Sequence, residues 1–158
     1  MTATLNIISA DKNSLVHRVL ASDDSWATLA LRVPVGIIFA AHGAQKLFGM
    51  FGGYGLDGTG QWMDSIGLGP GHLMALLAGS AEFFGGLALI LGLLVRPAAL
   101  ALAVTMLVAI VKVHLDKGFF MASNGYEYAL ALLTVTASLV VSGAGRVSLD
   151  RSLSAKAE

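Results

Sequence analysis

Four long apolar stretches alternate with polar or glycine-rich segments along the chain. The first covers residues 26–48 and contains the uncharged run 33–41. The second covers 72–94 and carries one acidic residue, Glu82. The third covers 97–115 and has no charge between 97 and 111. The fourth covers 127–142 and is apolar or hydroxyl-bearing after Glu127. A helix needs about 20 mostly apolar residues to cross a bilayer core. The pattern predicts an all-α, four-transmembrane-helix antiparallel bundle. The fourth span is the shortest and implies some mismatch with the bilayer. A soluble four-helix bundle would need a polar face on every helix, and the second, third and fourth stretches have none.

The connections differ in length. Residues 95 and 96 alone separate the second and third spans, which predicts a tight hairpin, and Pro97 suits a helix first turn. The loop 49–71 is rich in glycine, and 59–65 fits a short interfacial helix within it. This loop and the one at about 116–126 lie at one end of the bundle and could cover it. Flanking the membrane domain, 26–143, are a polar N-terminal tail, 1–25, and a polar C-terminal tail, 144–158. Lys12, Arg18, Asp11, Asp23 and Asp24 interrupt any signal-peptide core. A short surface helix is expected around 14–21.

Composition agrees with a membrane chain. Hydrophobic residues make up 56% and charged residues 13% of 158, against about 25% charged in soluble domains. Mean hydropathy is +0.75. Ten Lys+Arg balance ten Asp+Glu, so no net field attracts a nucleic acid. The chain has no cysteine, which excludes thiol chemistry and thiolate metal sites of its own. Cytoplasmic loops favour Lys and Arg. Both termini inside places Lys12, Arg18, Arg96, Arg146, Arg151 and Lys156 there, against Lys46, Lys112 and Lys117 outside.

Charges within lipid are expensive and usually face the bundle interior. At 1.5 Å per residue, His42 lies roughly 24 Å from the inner end of its span, Glu82 roughly 18 Å and His114 roughly 26 Å. These three form one layer in the outer half of the membrane, with Gln45, Lys46, Lys112 and Glu127 at or just above it. His42 and Lys46 share a helix face, whereas Lys112 and His114 point to opposite sides. A carboxylate such as Glu82 near mid-membrane must be protonated or paired, with Lys46 or Arg32 as partner. It could instead exchange protons beside His42 or His114. The two histidines are also in position to ligate a haem iron, though nothing else in the chain points to haem. His17 and His72 read as surface residues. Close helix packing is the role of Ala75 with Gly79, Ala78 with Glu82, and Gly36 with Ala40. The run Gly53-Tyr54-Gly55-Leu56-Asp57-Gly58 matches a dinucleotide fingerprint in letters, but no strand precedes it. It reads as a flexible loop.

Several segments, in this order and spacing, resemble the DoxX family of small bacterial inner-membrane proteins. They are Arg32-x3-Gly36, His42-Gly43-x2-Lys46-Leu47, Glu82-Phe83-Phe84-Gly85-Gly86, Leu91-Gly92-Leu93 with Arg96, His114 with Gly118-Phe119-Phe120, Glu127-Tyr128-Ala129, and Gly143-Ala144-Gly145-Arg146-Val147-Ser148-Leu149-Asp150. The resemblance runs from about 27 to 150. It implies a four-helix membrane bundle linked to redox chemistry, in which some relatives serve a thiosulfate:quinone oxidoreductase. The cysteine-free chain lacks the further domain that complete thiosulfate oxidation would need. By position, Arg32, His42, Lys46, Glu82, His114 and Glu127 carry over.

The leading expectation is a redox-associated subunit with a quinone in the outer half of the bundle. Glu82 and His42 would act on it, and Arg32, Lys46, His114 and Glu127 would bind it. A membrane redox partner or a homo-oligomer would accompany it in the bacterial inner membrane. The alternatives are a non-catalytic scaffold and a small oligomeric transporter, the latter weakened by the lack of an inverted repeat.

Overall fold

The structure, a computed structural model, describes residues 25–155. The expected surface helix at 14–21 and His17 lie outside the described residues. Among those residues every regular element is helical. The elements are α1 (Ala27–Phe48), α2 (Gly55–Ser65), α3 (Gly71–Leu91), α4 (Val95–Ala109), α5 (Glu127–Ser142) and α6 (Leu149–Ser154). A π-helical turn, Ile110–His114, and a 3-10 turn, Leu115–Lys117, continue α4. Three helical stretches, Ala27–Phe48, Gly71–Leu91 and Val95–Lys117, are long and apolar enough to cross a membrane, and Glu127–Ser142 is a shorter apolar helix.

The packing inverts the soluble rule of large residues inside. The stripe of α3 turned inward is Gly71, Ala75, Gly79, Glu82, Gly85, Gly86 and Leu89. Leu73, Leu76, Leu77, Phe84, Leu87 and Leu91 of the same helix are exposed. Lipid tails solvate such residues as well as a core does, so helices associate through small residues instead. A β-carbon at Gly86 would lie 2.5 Å from the Ala40 nitrogen, and one at Gly36 would lie 2.7 Å from the Gly86 oxygen. These contacts, with Gly79 against Leu47, set α1 and α3 antiparallel and almost backbone to backbone. Gly85 meets Leu102 of α4. The Arg96 guanidinium at the start of α4 donates to the Val140 carbonyl near the end of α5 (2.6 Å), so that pair is antiparallel too. Val35, Phe39, Leu89, Leu102, Met106, Leu132 and Leu139 form the shared apolar core.

The α3–α4 hairpin turns earlier than residues 95 and 96. Gly92 and Leu94 adopt left-handed conformations, with φ of 69° and 49°, and α4 begins at Val95. The reason lies far along the chain. The Asp150 carboxylate accepts from the Leu94 N–H (2.6 Å) and the Val95 N–H (3.0 Å). It caps the new helix from outside, where an anion also suits the dipole. Asp150 is itself 1% exposed. At the same end Arg32, also 1% exposed, donates to four carbonyls. Its Nε reaches Ala144 (3.0 Å), and its Nη1 reaches Leu89 (2.6 Å) and Ile90 (2.7 Å). Its Nη2 reaches Val147. The Leu89 and Ile90 carbonyls belong to the last turn of α3, where intrahelical donors run short; Leu89 takes only a long bond from the Gly92 N–H (3.3 Å) besides the guanidinium. The segment after α5 is therefore stapled between α1 and the hairpin.

Asp150→Ala would leave two helix-start N–H groups without an acceptor, a loss of roughly 1–3 kcal/mol. The expected result is a clearly lower Tm in detergent than for Asp57→Ala, which alters an exposed carboxylate. Equal Tm values would contradict the capping role.

Candidate functional site

At the other end of the helices the inward polar residues converge. Glu82 faces α1 from the small-residue stripe of α3 and is 4% exposed. Lys46 stands in the last turn of α1, where the helix dipole favours a cation. Gly79 leaves room for its stem, since a β-carbon there would come within 3.3 Å of the Lys46 β-carbon. The Lys46 Nζ donates to Glu82 Oε2 at 2.6 Å, a short charge-assisted bond. Of the two partners open to Glu82 in the sequence, Lys46 is the one it meets.

One turn below Lys46, His42 Nδ1 lies 2.9 Å from the Ile38 carbonyl. His114 Nδ1 lies 2.8 Å from the Asn124 carbonyl. A carbonyl only accepts, so Nδ1 carries the proton in both rings. In the neutral ring Nε2 is then left as an acceptor, and in the imidazolium it is a donor.

His42, Lys46, Glu82 and His114 all border one cavity of about 620 Å³. That volume lies within the range of small-molecule sites, which are apolar with a few placed polar groups. Phe39, Met106 and Leu132 supply apolar wall. Trp62 and Met63 of α2 and the loop residues Met121 and Asn124 complete the lining. Leu77 of α3 and Val104 and Val108 of α4 border the same cavity and are 55%, 53% and 41% exposed. Along α3 and α4 the cavity therefore reaches the apolar outer surface of the protein, and at its loop end Trp62, Met121 and Asn124 are exposed as well.

The structure thus gathers four of the six expected site residues around one space. Arg32 is not among them, since it is held by carbonyls at the hairpin end. Glu127 is not on the wall either. Its Oε1 accepts from the Met121 N–H (2.6 Å), and its own N–H donates to the Phe119 carbonyl (2.9 Å). It thereby shapes the loop that carries Asn124. Lys112 is exposed, while His114 borders the cavity. Both lie in the π turn closed by the Leu115 N–H on the Ile110 carbonyl, a local widening of the helix of the kind often found at functional sites. Tyr128, part of the Glu127-Tyr128-Ala129 segment, and Thr105 also border the cavity; Thr105 carries no sequence signal of its own. Tyr128, next to Glu127 at the start of a span, presents a polar tip at an apolar wall.

A family model described as DoxX matches residues 27–115. A Bacillus subtilis protein named "Putative oxidoreductase CatD" is 37% identical over 123 residues, covering 78% of this chain and 84% of that one. An uncharacterized membrane protein of Mycobacterium tuberculosis is 32% identical over 151 residues, 89% of each chain. An uncharacterized protein of Haemophilus influenzae is 37% identical over 127 residues, 76% of this chain and 85% of its own. No solved structure matches.

Lys46→Met should destabilise the protein, because it strips a buried carboxylate of its partner. The Lys46 side chain keeps 23% exposure, so the cost is set at roughly 1–3 kcal/mol, below that of a fully buried pair. The double variant Lys46→Met with Glu82→Leu should recover most of the lost Tm. Additive losses in the double variant would show that the pair is not coupled.

Proposed function

The chain belongs to the DoxX family and is a membrane protein, and on that premise we propose that it is a redox-associated subunit that binds a quinone. The observation that carries this reading is a short Lys46–Glu82 ion pair on the wall of an apolar cavity that reaches the outer surface along α3 and α4. A quinone is dissolved in the bilayer and would enter between α3 and α4 without crossing water. In this reading α5 is the fourth span of an antiparallel bundle. Both termini lie in the cytoplasm, and α2 lies at the outer face of the bacterial inner membrane.

The chemistry follows from the groups present. A quinone oxygen accepts a hydrogen bond from the Lys46 ammonium or from a protonated histidine Nε2. When electrons arrive from a membrane redox partner, charge grows on that oxygen. Lys46 opposes that charge in a low-dielectric site, where fixed cations act strongly. Glu82 and His42 exchange the protons that convert quinone to quinol. His114, tied to Asn124, holds the opposite side of the ring. The name of the Bacillus subtilis relative as an oxidoreductase agrees with this role.

Protein purified in mild detergent from its native host should retain a stoichiometric quinone, identified by extraction and mass spectrometry. Glu82→Gln and His42→Ala should each weaken quinone binding about tenfold, the effect of one lost charge-assisted hydrogen bond. A folded protein with no quinone, indifferent to both changes, would contradict the reading. The Lys46–Glu82 pair would then be a helix lock in a non-catalytic scaffold. A haem band in the visible spectrum would instead make His42 and His114 iron ligands.

A further inference from the structure

Lys46 borders a second cavity. This space, about 540 Å³, lies between the last turn of α1, the 52–54 turn and α2. Lys46 and Trp62 border both cavities, whereas Glu82, His42 and His114 border only the first. Both walls are mostly apolar, but the second space carries the larger polar share. The first reaches the apolar outer surface along α3 and α4. The second is lined by Gln45, Thr59, Tyr54 and three glycines, whose backbone groups are unscreened by side chains. Tyr54 at its edge is 84% exposed. The outer face of α2, with Asp57, Gln61, Asp64 and Ser65 exposed, is the face of a helix in water. Gln45 Nε2 donates to the Phe51 carbonyl (3.2 Å) and fastens the turn beside the opening. A roomy space with several polar partners is one that water occupies.

We propose that the second cavity is an aqueous port through which the Lys46–Glu82 pair exchanges protons with water on the α2 side. Lys46 is the partition: its ammonium faces the ligand chamber on one side and port water on the other. A proton passed from the Lys46 ammonium to a ligand oxygen is replaced by one from port water. The pair thereby returns to ammonium and carboxylate, and charge is conserved. Protons and lipid-phase ligand then reach the same pair by separate routes. The proton-handling role rests on the quinone reading above, but the existence of the port does not.

The absence of cysteine from the chain makes the test clean. Single cysteines at Gln45, Lys46 and Thr105 would be introduced and the proteins placed in sealed vesicles. They would be treated with a charged, membrane-impermeant methanethiosulfonate or with a neutral, lipid-soluble maleimide. Gln45→Cys and Lys46→Cys should react with the charged reagent from the α2 side and not from the opposite side. Thr105→Cys, on the wall of the first cavity alone, should react with the neutral reagent only. Lys46→Cys breaks the ion pair, so Gln45→Cys carries the test if that variant does not fold. A charged adduct at Gln45→Cys should slow deuterium exchange of a nitrogen-labelled Lys46 ammonium several-fold, with quinone affinity unchanged. A folded Gln45→Cys inert to the charged reagent, or a Lys46 exchange rate that the adduct leaves unmoved, would overturn the port. Failure of quinone to bind would overturn the ligand reading and leave these outcomes readable.

Discussion

A guanidinium that lipid cannot hydrate holds the architecture at one end. Arg32 cannot shed its charge, and a lone charge in a bilayer is costly. Its cost is met by four backbone carbonyls, from Leu89, Ile90, Ala144 and Val147. Those carbonyls come from the end of α3 and from the segment beyond α5, so one side chain of α1 ties three parts of the chain. Asp150, carried in by that segment, caps the start of α4. With Arg96 joining α4 to α5, the hairpin end is closed by polar bonds from several directions.

The opposite end is built differently, and function follows from the contrast. Glycine and alanine on the facing sides of α1 and α3 bring their backbones together. That closeness lets a carboxylate on α3 and an ammonium on α1 meet at 2.6 Å. The α3–α4 pair, joined at Gly92–Leu94, leaves a space beside this ion pair, and α2 and the loop before α5 complete its lining. Exposed Leu77, Val104 and Val108 rim the space with apolar surface, and the proposed quinone would enter there.

Much of this was legible in the residues. Apolar runs and their lengths located the long helices to within a few residues, because a bilayer demands a length. Rise per residue placed His42, Glu82 and His114 in one layer, and the cavity joins all three. The i, i+4 spacing put Lys46 on the face of His42. Other features left no such trace. Arg32 is paired with carbonyls, which every residue carries and no sequence distinguishes. Residues 144–158 are polar in composition, yet Asp150 is 1% exposed, because its partners lie more than fifty positions away. Ser148 accepting from the Arg151 N–H, ahead of Leu149 and Leu153, was the readable sign of a short helix there. The spacing of two put His114 and Lys112 on opposite sides, but the π turn that holds both is a local change of winding that residue spacing assumes away.

The central claim is that the chamber beside Lys46 and Glu82 receives a quinone from the bilayer through the gap between α3 and α4. A photoactivatable azidoquinone, irradiated in native membranes and followed by peptide mass spectrometry, tests it most directly. The account predicts adducts concentrated on the chamber walls, around Met74–Glu82 of α3 and Ala101–Val113 of α4 and its π turn, suppressed by excess unlabelled quinone. Adducts spread evenly over the exposed apolar residues of all the helices, and insensitive to competing quinone, would contradict it.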